Sequence, residues 1–475
     1  MSPSDAHDPL PRQGEPTKTQ TQTVFFNSDK QRYVFCLLGT YPLSLIYRRL
    51  PDRPVLKHLY GLVLGLLMCY LISGNQLVHH LFTSVVVYWI TESVPPKLIG
   101  HSVLAFSLFY LMLCHTYRMY VDYLGWSIDF TGTQMLLTIK FVMYAFDYQD
   151  MKTHAFKLEP SSPARKQLLS YMQHNRLLRK PSLLEYFSYM FWYSNILAGP
   201  TLPPRVHFEF VELSMFPNKK VPAGSYKRGF LVGLYGILMG LPLLLQKYLP
   251  LSRLLDGSLN HLPVICRSLY LWIAVILYRC PYYFAWLLLE GSNIIIGIGW
   301  SGYSNPADPS SPSLWDRASS VRPLALETSK SFKDITDNWN LSANRWLKYY
   351  IYLRYKEFLG VYSTYFTYLV SSIWHGLYPG YYLSFGLCAF ATEFYREIYR
   401  KVRIHFLDPQ GREPMLYRTV LTLLTSYVLS YCLVAFILLS WGRSIHVYSS
   451  LYWHGHVFLI LGLLLFKLVP YCKKK

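Results

Sequence analysis

His375 and Asn340 are the two residues of this 475-residue chain whose type and setting best suit proton chemistry on an alcohol. His375 stands in Trp374-His375-Gly376, within a stretch of 35 residues, Phe358 to Thr392, that contains no Asp, Glu, Lys or Arg. Such a run exceeds the roughly 20 apolar residues that cross a bilayer. An ionisable side chain at membrane depth is costly and marks a functional site by default. Out of water an imidazole favours its neutral form, the state required of a general base acting on a hydroxyl. The plainer alternative is a ring satisfied by a backbone carbonyl within a helix bundle. Against it stands Gly376-Leu377-Tyr378-Pro379-Gly380, which weakens the helix just after the ring. Irregular backbone at that depth is tolerated only where it lines a cavity. Ser371 and Ser372 could face the ring across one helical turn. Neither lies in a Gly-x-Ser-x-Gly elbow, so direct attack by a bound hydroxyl substrate is the simpler chemistry.

Asn340 offers two donors and an acceptor without burying a charge. It could orient a substrate or bond a developing oxyanion. Its plain alternative is a solvated asparagine on an amphipathic helix. Asp129 and Glu327 read as structural partners of cations rather than catalysts. His79, His80, His115, His454 and His456 lie in or near apolar segments. None has HExxH-type spacing with a third ligand, so no metal is assigned.

The elements that must position these residues are membrane helices. The chain is 52% hydrophobic and 15% charged, against about 25% charged in soluble domains. Apolar runs recur at Leu59–Leu71, Leu77–Ile90, Leu98–Tyr117, Gly229–Leu245, Leu269–Leu277, Tyr282–Leu289, Thr419–Trp441 and Ser444–Phe466. With the other apolar stretches they suggest an all-α, polytopic transmembrane helical bundle of about 10–11 membrane helices. Aromatics reach 17%, many at run ends, where the headgroup region suits them. The formal net charge of +20 lies mostly in connecting segments. That suits loops facing the cytoplasm and anionic lipid, with room for a polyanionic ligand, and nucleic acid is not an expected partner. The eight cysteines form no CxxC pair, which argues against a zinc site and a disulfide framework.

Residues 1–30 lack the apolar core of a signal peptide and read as a disordered cytoplasmic tail. A single membrane domain follows over 31–470, then a short basic tail, 471–475. Three polar stretches interrupt the domain. Asp147 to Glu185 is basic and ends in a candidate amphipathic surface helix. Trp300 to Arg354 opens on a Gly/Ser/Pro segment, and a helix capped by Thr336 or Asp337 is expected near its end, with Trp339, Ala343, Trp346, Leu347 and Tyr350 on one apolar face. Tyr395 to Arg418 reads as a basic juxtamembrane connector.

The motifs Asp337-Asn338-Trp339-Asn340, Asn344-Arg345-Trp346-Leu347-Lys348 and Ser371-Ser372-Ile373-Trp374-His375-Gly376 resemble those of the membrane-bound O-acyltransferase family, in its lysophospholipid acyltransferase branch. Asp129-Phe130-Thr131-Gly132, Leu197-Ala198-Gly199-Pro200 and Trp315-Asp316-Arg317 support it, and the likeness spans about residues 35 to 440. The resemblance implies a bundle enclosing a catalytic chamber, with His375 and Asn340 at the family's histidine and asparagine. It implies acyl transfer from acyl-CoA, as co-substrate and without a further cofactor, to the sn-2 hydroxyl of a lysophospholipid. It also implies the endoplasmic reticulum membrane, with Lys473 near the end as weak support. Which Lys or Arg would hold the CoA phosphates is not legible, and a homodimer is one assembly open to such a bundle. Two other readings stay open: a family member using diacylglycerol, a sterol or a protein as acceptor, and a transporter with a histidine relay. The latter would require two related halves, and no internal symmetry is found.

Overall fold

The computed structural model describes residues 28–308 and 310–468. The expected tails lie outside these residues, except that Ser28 caps the first helix through the Gln31 amide. The chain is an all-α polytopic membrane protein. Among the described residues the sole sheet is a two-residue pairing of Gly302–Tyr303 with Ser313–Leu314.

The first half runs through α1 (Asp29–Tyr47), α2 (Pro54–Ser73), α3 (Leu77–Ser93), α4 (Ile99–Val121) and α5 (Phe130–Thr153). The shorter α6 (Pro163–Asn175), α7 (Leu183–Met190) and α8 (Pro204–Val211) follow. Then come α9 (Ser225–Gly240) and α10 (Val264–Ile296). The short α11 (Pro323–Glu327), α12 (Phe332–Thr336) and α13 (Leu341–Trp346) lead through a π-helical turn, Leu347–Tyr352, into α14 (Leu353–Leu359). The last part comprises α15 (Ser363–His375), α16 (Pro379–Glu397), α17 (Met415–Leu438), α18 (Trp441–Ser450) and α19 (His454–Leu468).

Five helical stretches are long and apolar enough to cross a membrane: Pro54–Ser93, Pro96–Val121, Ser225–Tyr248, Val264–Ile296 and Met415–Leu438. The bent pair α18–α19, at 79°, makes a sixth if it is one span. The ten or eleven expected elements are counted by apolar run, and neighbouring runs can fall within one continuous helical stretch. Leu59–Leu71 and Leu77–Ile90 both fall within Pro54–Ser93. Leu269–Leu277 and Tyr282–Leu289 both lie in α10, which continues through Pro281. Conversely, the uncharged run around His375 is two helices, α15 and α16, parted at Gly376.

α5 runs through the middle of the bundle and packs against α3 and α4. It buries Lys140, Asp147 and Asp150 completely. Each has partners, as a buried charge requires. Lys140 donates to the Tyr189 and Met190 carbonyls and to Asn195 Oδ1. Arg354 forks onto Asp150 at 3.2 and 2.6 Å, and the Tyr350 hydroxyl donates to Asp147. These bonds tie α5 to the π-turn and α14, and so to the segment that carries Asn340.

Candidate active site

α15 ends at His375 because Gly376 takes φ +138°, ψ −171°. A Cβ at Gly376 would lie 3.1 Å from Tyr381 and 3.5 Å from the His115 ring, so glycine is needed for both conformation and space. The His375 imidazole is half-buried among rings from two other helices. Phe385 of α16 stacks on it at 5.2 Å between centroids. Phe436 of α17 meets it edge-on at 4.9 Å, and Tyr381 stands at 5.8 Å. Among the described residues, neither ring nitrogen of His375 makes a hydrogen bond. Trp374, its neighbour, is fixed on the opposite side. The indole N–H donates to the Met135 carbonyl of α5 at 2.9 Å, and the Trp374 carbonyl lies 3.1 Å from His115 Nε2 of α4. Ser372 Oγ donates to the Tyr368 carbonyl of its own helix at 2.9 Å, so it is engaged away from the imidazole.

Asn340 does not lie on the expected helix face. Asp337 ends α12, which Ser331 caps, and Asn340 is itself the cap of α13. Its backbone is left-handed (φ 40°, ψ 59°), a conformation Asn adopts more readily than most residues. Asn340 Oδ1 accepts from the Ala343 amide at 3.2 Å, and its Nδ2 has no partner among the described residues. The turn is clamped from both sides: the Arg322 amide donates to the Asn338 carbonyl at 3.0 Å, and the Leu341 amide to the Ser320 carbonyl at 2.9 Å. Ser319 and Ser320 are in turn bonded to Glu290 of α10 at 2.6 and 3.4 Å. Nearby, the Thr201 amide donates to Ser342 Oγ at 3.1 Å. The hydroxyls of Ser320 and Thr201 are buried without a partner among the described residues. Ala343, Trp346 and Tyr350 are buried as the helical spacing suggests.

The two residues are not hydrogen-bonded to each other. They are joined through packing: Trp346, at the end of α13, contacts Trp374 at 5.8 Å between centroids. Trp339 packs edge-on against Trp286 of α10 at 5.0 Å. Both carboxylates singled out in the sequence have structural roles. Asp129 caps α5 and pairs with Arg118, and Glu327 takes a bidentate bond from Arg279. The paired histidines find hydroxyl or amide partners: His79 with Tyr110, His80 with Gln134, His454 with Tyr427 and His456 with Tyr431.

Sequence reasoning missed a cavity of about 400 Å³ beside α13, lined by His174, Asn175, Arg317, Arg345 and Tyr349 among others. Tyr349 stacks on Tyr171 at 3.7 Å to form one wall. Arg317 and Arg345 make no ion pair among the described residues. Burial and the neighbouring Arg345 charge hold Arg317 below its ordinary pKa, and an anion in the cavity would offset the repulsion between the two guanidinium groups. His174 and Asn175 lie more than a hundred positions from Arg317, Arg345 and Tyr349, so no local spacing shows that they meet.

The chain is similar to known proteins over most of its length. The membrane-bound O-acyltransferase family profile aligns with residues 115–438. A lysophospholipid acyltransferase of Schizosaccharomyces pombe is 31% identical over 92% of this chain and 86% of its own length. Lysophospholipid acyltransferase 2 of Arabidopsis thaliana is 31% identical over 92% of this chain and 93% of its own. Membrane-bound glycerophospholipid O-acyltransferase 2 of Mus musculus is 32% identical over 92% and 84%. By the extent of the profile match and of these relatives, the chain belongs to the membrane-bound O-acyltransferase family.

Proposed function

We propose that this O-acyltransferase moves a fatty acyl group from acyl-CoA to the free sn-2 hydroxyl of a lysophospholipid in the endoplasmic reticulum membrane. The relatives' names supply the acceptor class. The observation that carries the chemistry is an imidazole with both nitrogens unengaged in an aromatic pocket, one packed tryptophan away from the Asn340 segment. His375 takes the hydroxyl proton as the oxygen attacks the thioester carbonyl. The tetrahedral oxyanion collapses, the C–S bond breaks, and the imidazolium returns the proton to the departing CoA thiolate. Asn340 Nδ2, without a partner among the described residues, bonds the hydroxyl or the oxyanion. The phosphates of CoA would enter the cavity of Arg317 and Arg345, whose guanidinium groups form no ion pair among the described residues and suit phosphate geometry.

The test is transfer of labelled acyl-CoA, in membranes at matched expression, to a panel of lysolipids differing in headgroup. Wild type, His375→Ala and Asn340→Ala are compared. Full activity in His375→Ala would remove the general base. Transfer to diacylglycerol, a sterol or a protein, with none to any lysolipid, would replace the acceptor.

A further inference from the structure

The C-terminal turn of a helix leaves carbonyls without intrahelical donors. At the end of α15 the Trp374 carbonyl is one of these, and it belongs to the residue immediately before His375. The donor it finds is a side chain from another helix 259 positions away: His115 Nε2, at 3.1 Å. A carbonyl oxygen can only accept, so Nε2 of His115 carries the proton. His115 is 5% exposed, and its ring also lies beside Gly376, two residues on from Trp374. The indole N–H of Trp374 is held independently by the Met135 carbonyl. Trp374 is thus pinned at its main chain by α4 and at its side chain by α5. The next residue along is turned towards α16 and α17.

We propose that His115 is a positioning residue for acyl transfer, fixing the last peptide of α15 so that the His375 ring stands at the angle the reaction needs. The proposal rests on the reading of His375 as the general base. The reason for a ring at position 115 is geometric. The break at Gly376 removes the next helical turn, so no backbone amide can reach the Trp374 carbonyl, and a flat donor held on α4 replaces it. Were that carbonyl left unbonded in apolar surroundings, the helix end would tilt to find another donor, carrying His375 with it. Small displacements at a reacting centre cost rate more than binding.

The test uses full-length protein in native-lipid nanodiscs. His115→Leu removes the donor, His115→Gln keeps an N–H at about the reach of Nε2, and His115→Asn keeps one only at the shorter reach of Nδ1. The expected result is a kcat about tenfold lower in His115→Leu and His115→Asn, with KM for acyl-CoA and for the lysolipid within about twofold. His115→Gln should recover kcat to within about threefold of wild type. Trp374→Phe, which frees the other clamp, provides a second variant should His115→Leu fail to fold, and it should also lower kcat without raising KM. Equal losses in all three His115 variants, or parallel changes in kcat and KM, would overturn the positioning role, as would unchanged kcat in His115→Leu. His375→Ala is measured beside them. An active His375→Ala defeats the general-base reading, whereas an inactive His375→Ala with a normal His115→Leu defeats the positioning role alone.

Discussion

The two arms of the candidate site are held by opposite means. The His375 arm is an apolar setting: rings from α16 and α17 surround the imidazole, and the hydrogen bonds fall on its neighbour Trp374. The Asn340 arm is a polar lattice, with a left-handed backbone, a side-chain cap, two clamping backbone bonds and a link to Glu290. A proton acceptor needs free nitrogens, so its position is set indirectly, through the adjoining residue. A donor to substrate can spend its acceptor oxygen on the fold and keep its N–H for the ligand. One arm therefore separates chemistry from stability, and the other joins them.

The largest effect that would break this contrast is at His375. His375→Ala removes no protein hydrogen bond, so acyl transfer should fall by about two to four orders of magnitude, while the melting midpoint in detergent moves less than in Asn340→Ala. A midpoint that falls as far as in the asparagine variant would show that His375 is tied into the fold after all.

At Asn340 the two consequences should appear together and then be separable. Asn340→Ala loses a helix cap worth about 1 kcal/mol and sets a β-carbon residue without a polar side chain in the left-handed region, at a further cost of about 1 kcal/mol or more. It should also lose on the order of a hundredfold in kcat, the scale of a removed oxyanion donor. Asn340→Asp keeps the capping oxygen but not the amide N–H. Its melting midpoint should stay near wild type while its kcat falls as in Asn340→Ala. If Asn340→Asp is as active as wild type, the amide does not touch the reacting atoms.

Much of this contrast was hidden in the sequence, for physical reasons. Helical periodicity identified the burial of Ala343, Trp346 and Tyr350, because that face is set by local geometry. It misplaced Asn340, because a polar residue in an apolar pattern looks alike on a helix face and in the left-handed turn before it. The break after His375 was legible, since Gly and Pro interrupt helices whatever surrounds them. Where one helical stretch ends and the next begins was not. Apolar runs show where lipid or core is met, but not whether a proline such as Pro281 ends a helix or is absorbed within it. The bond between His115 and Trp374, and the meeting of Arg317 and Arg345 with His174 and Asn175 in one cavity, join distant segments and leave no local trace.

That cavity belongs to neither arm, which makes it a control on both. Arg345→Ala should raise KM for acyl-CoA about tenfold and leave kcat little changed, the signature of a group that binds ground and transition states alike. The effect should shrink as salt is raised, since phosphate contacts are screened. A fall in kcat at constant KM would place Arg345 within the Asn340 arm, a few residues along the same helix from the reacting amide, rather than at the anion site.

The smallest effect probes how far the polar lattice extends. Glu290 is 6% exposed and accepts from Ser319 Oγ at 2.6 Å, while its second oxygen lies 3.4 Å from the Ser320 amide. Ser320 in turn holds the Leu341 amide, so Glu290 reaches Asn340 through one intervening residue. Glu290→Gln retains a carbonyl oxygen for the Ser319 hydroxyl and exchanges only the weaker acceptor for an N–H. Activity should therefore drop by no more than about fivefold, since a typical net hydrogen bond is worth about 1 kcal/mol. Glu290→Leu removes both acceptors and leaves the Ser320 N–H buried and unpaired, so it should lower kcat and the melting midpoint together, as Asn340→Ala does. The His375 arm supplies the comparison: His115→Leu, with its single lost bond, should lower kcat with a smaller shift in the midpoint. If Glu290→Leu also slows the enzyme without destabilising it, both arms are positioned from a distance and the opposition between them fails.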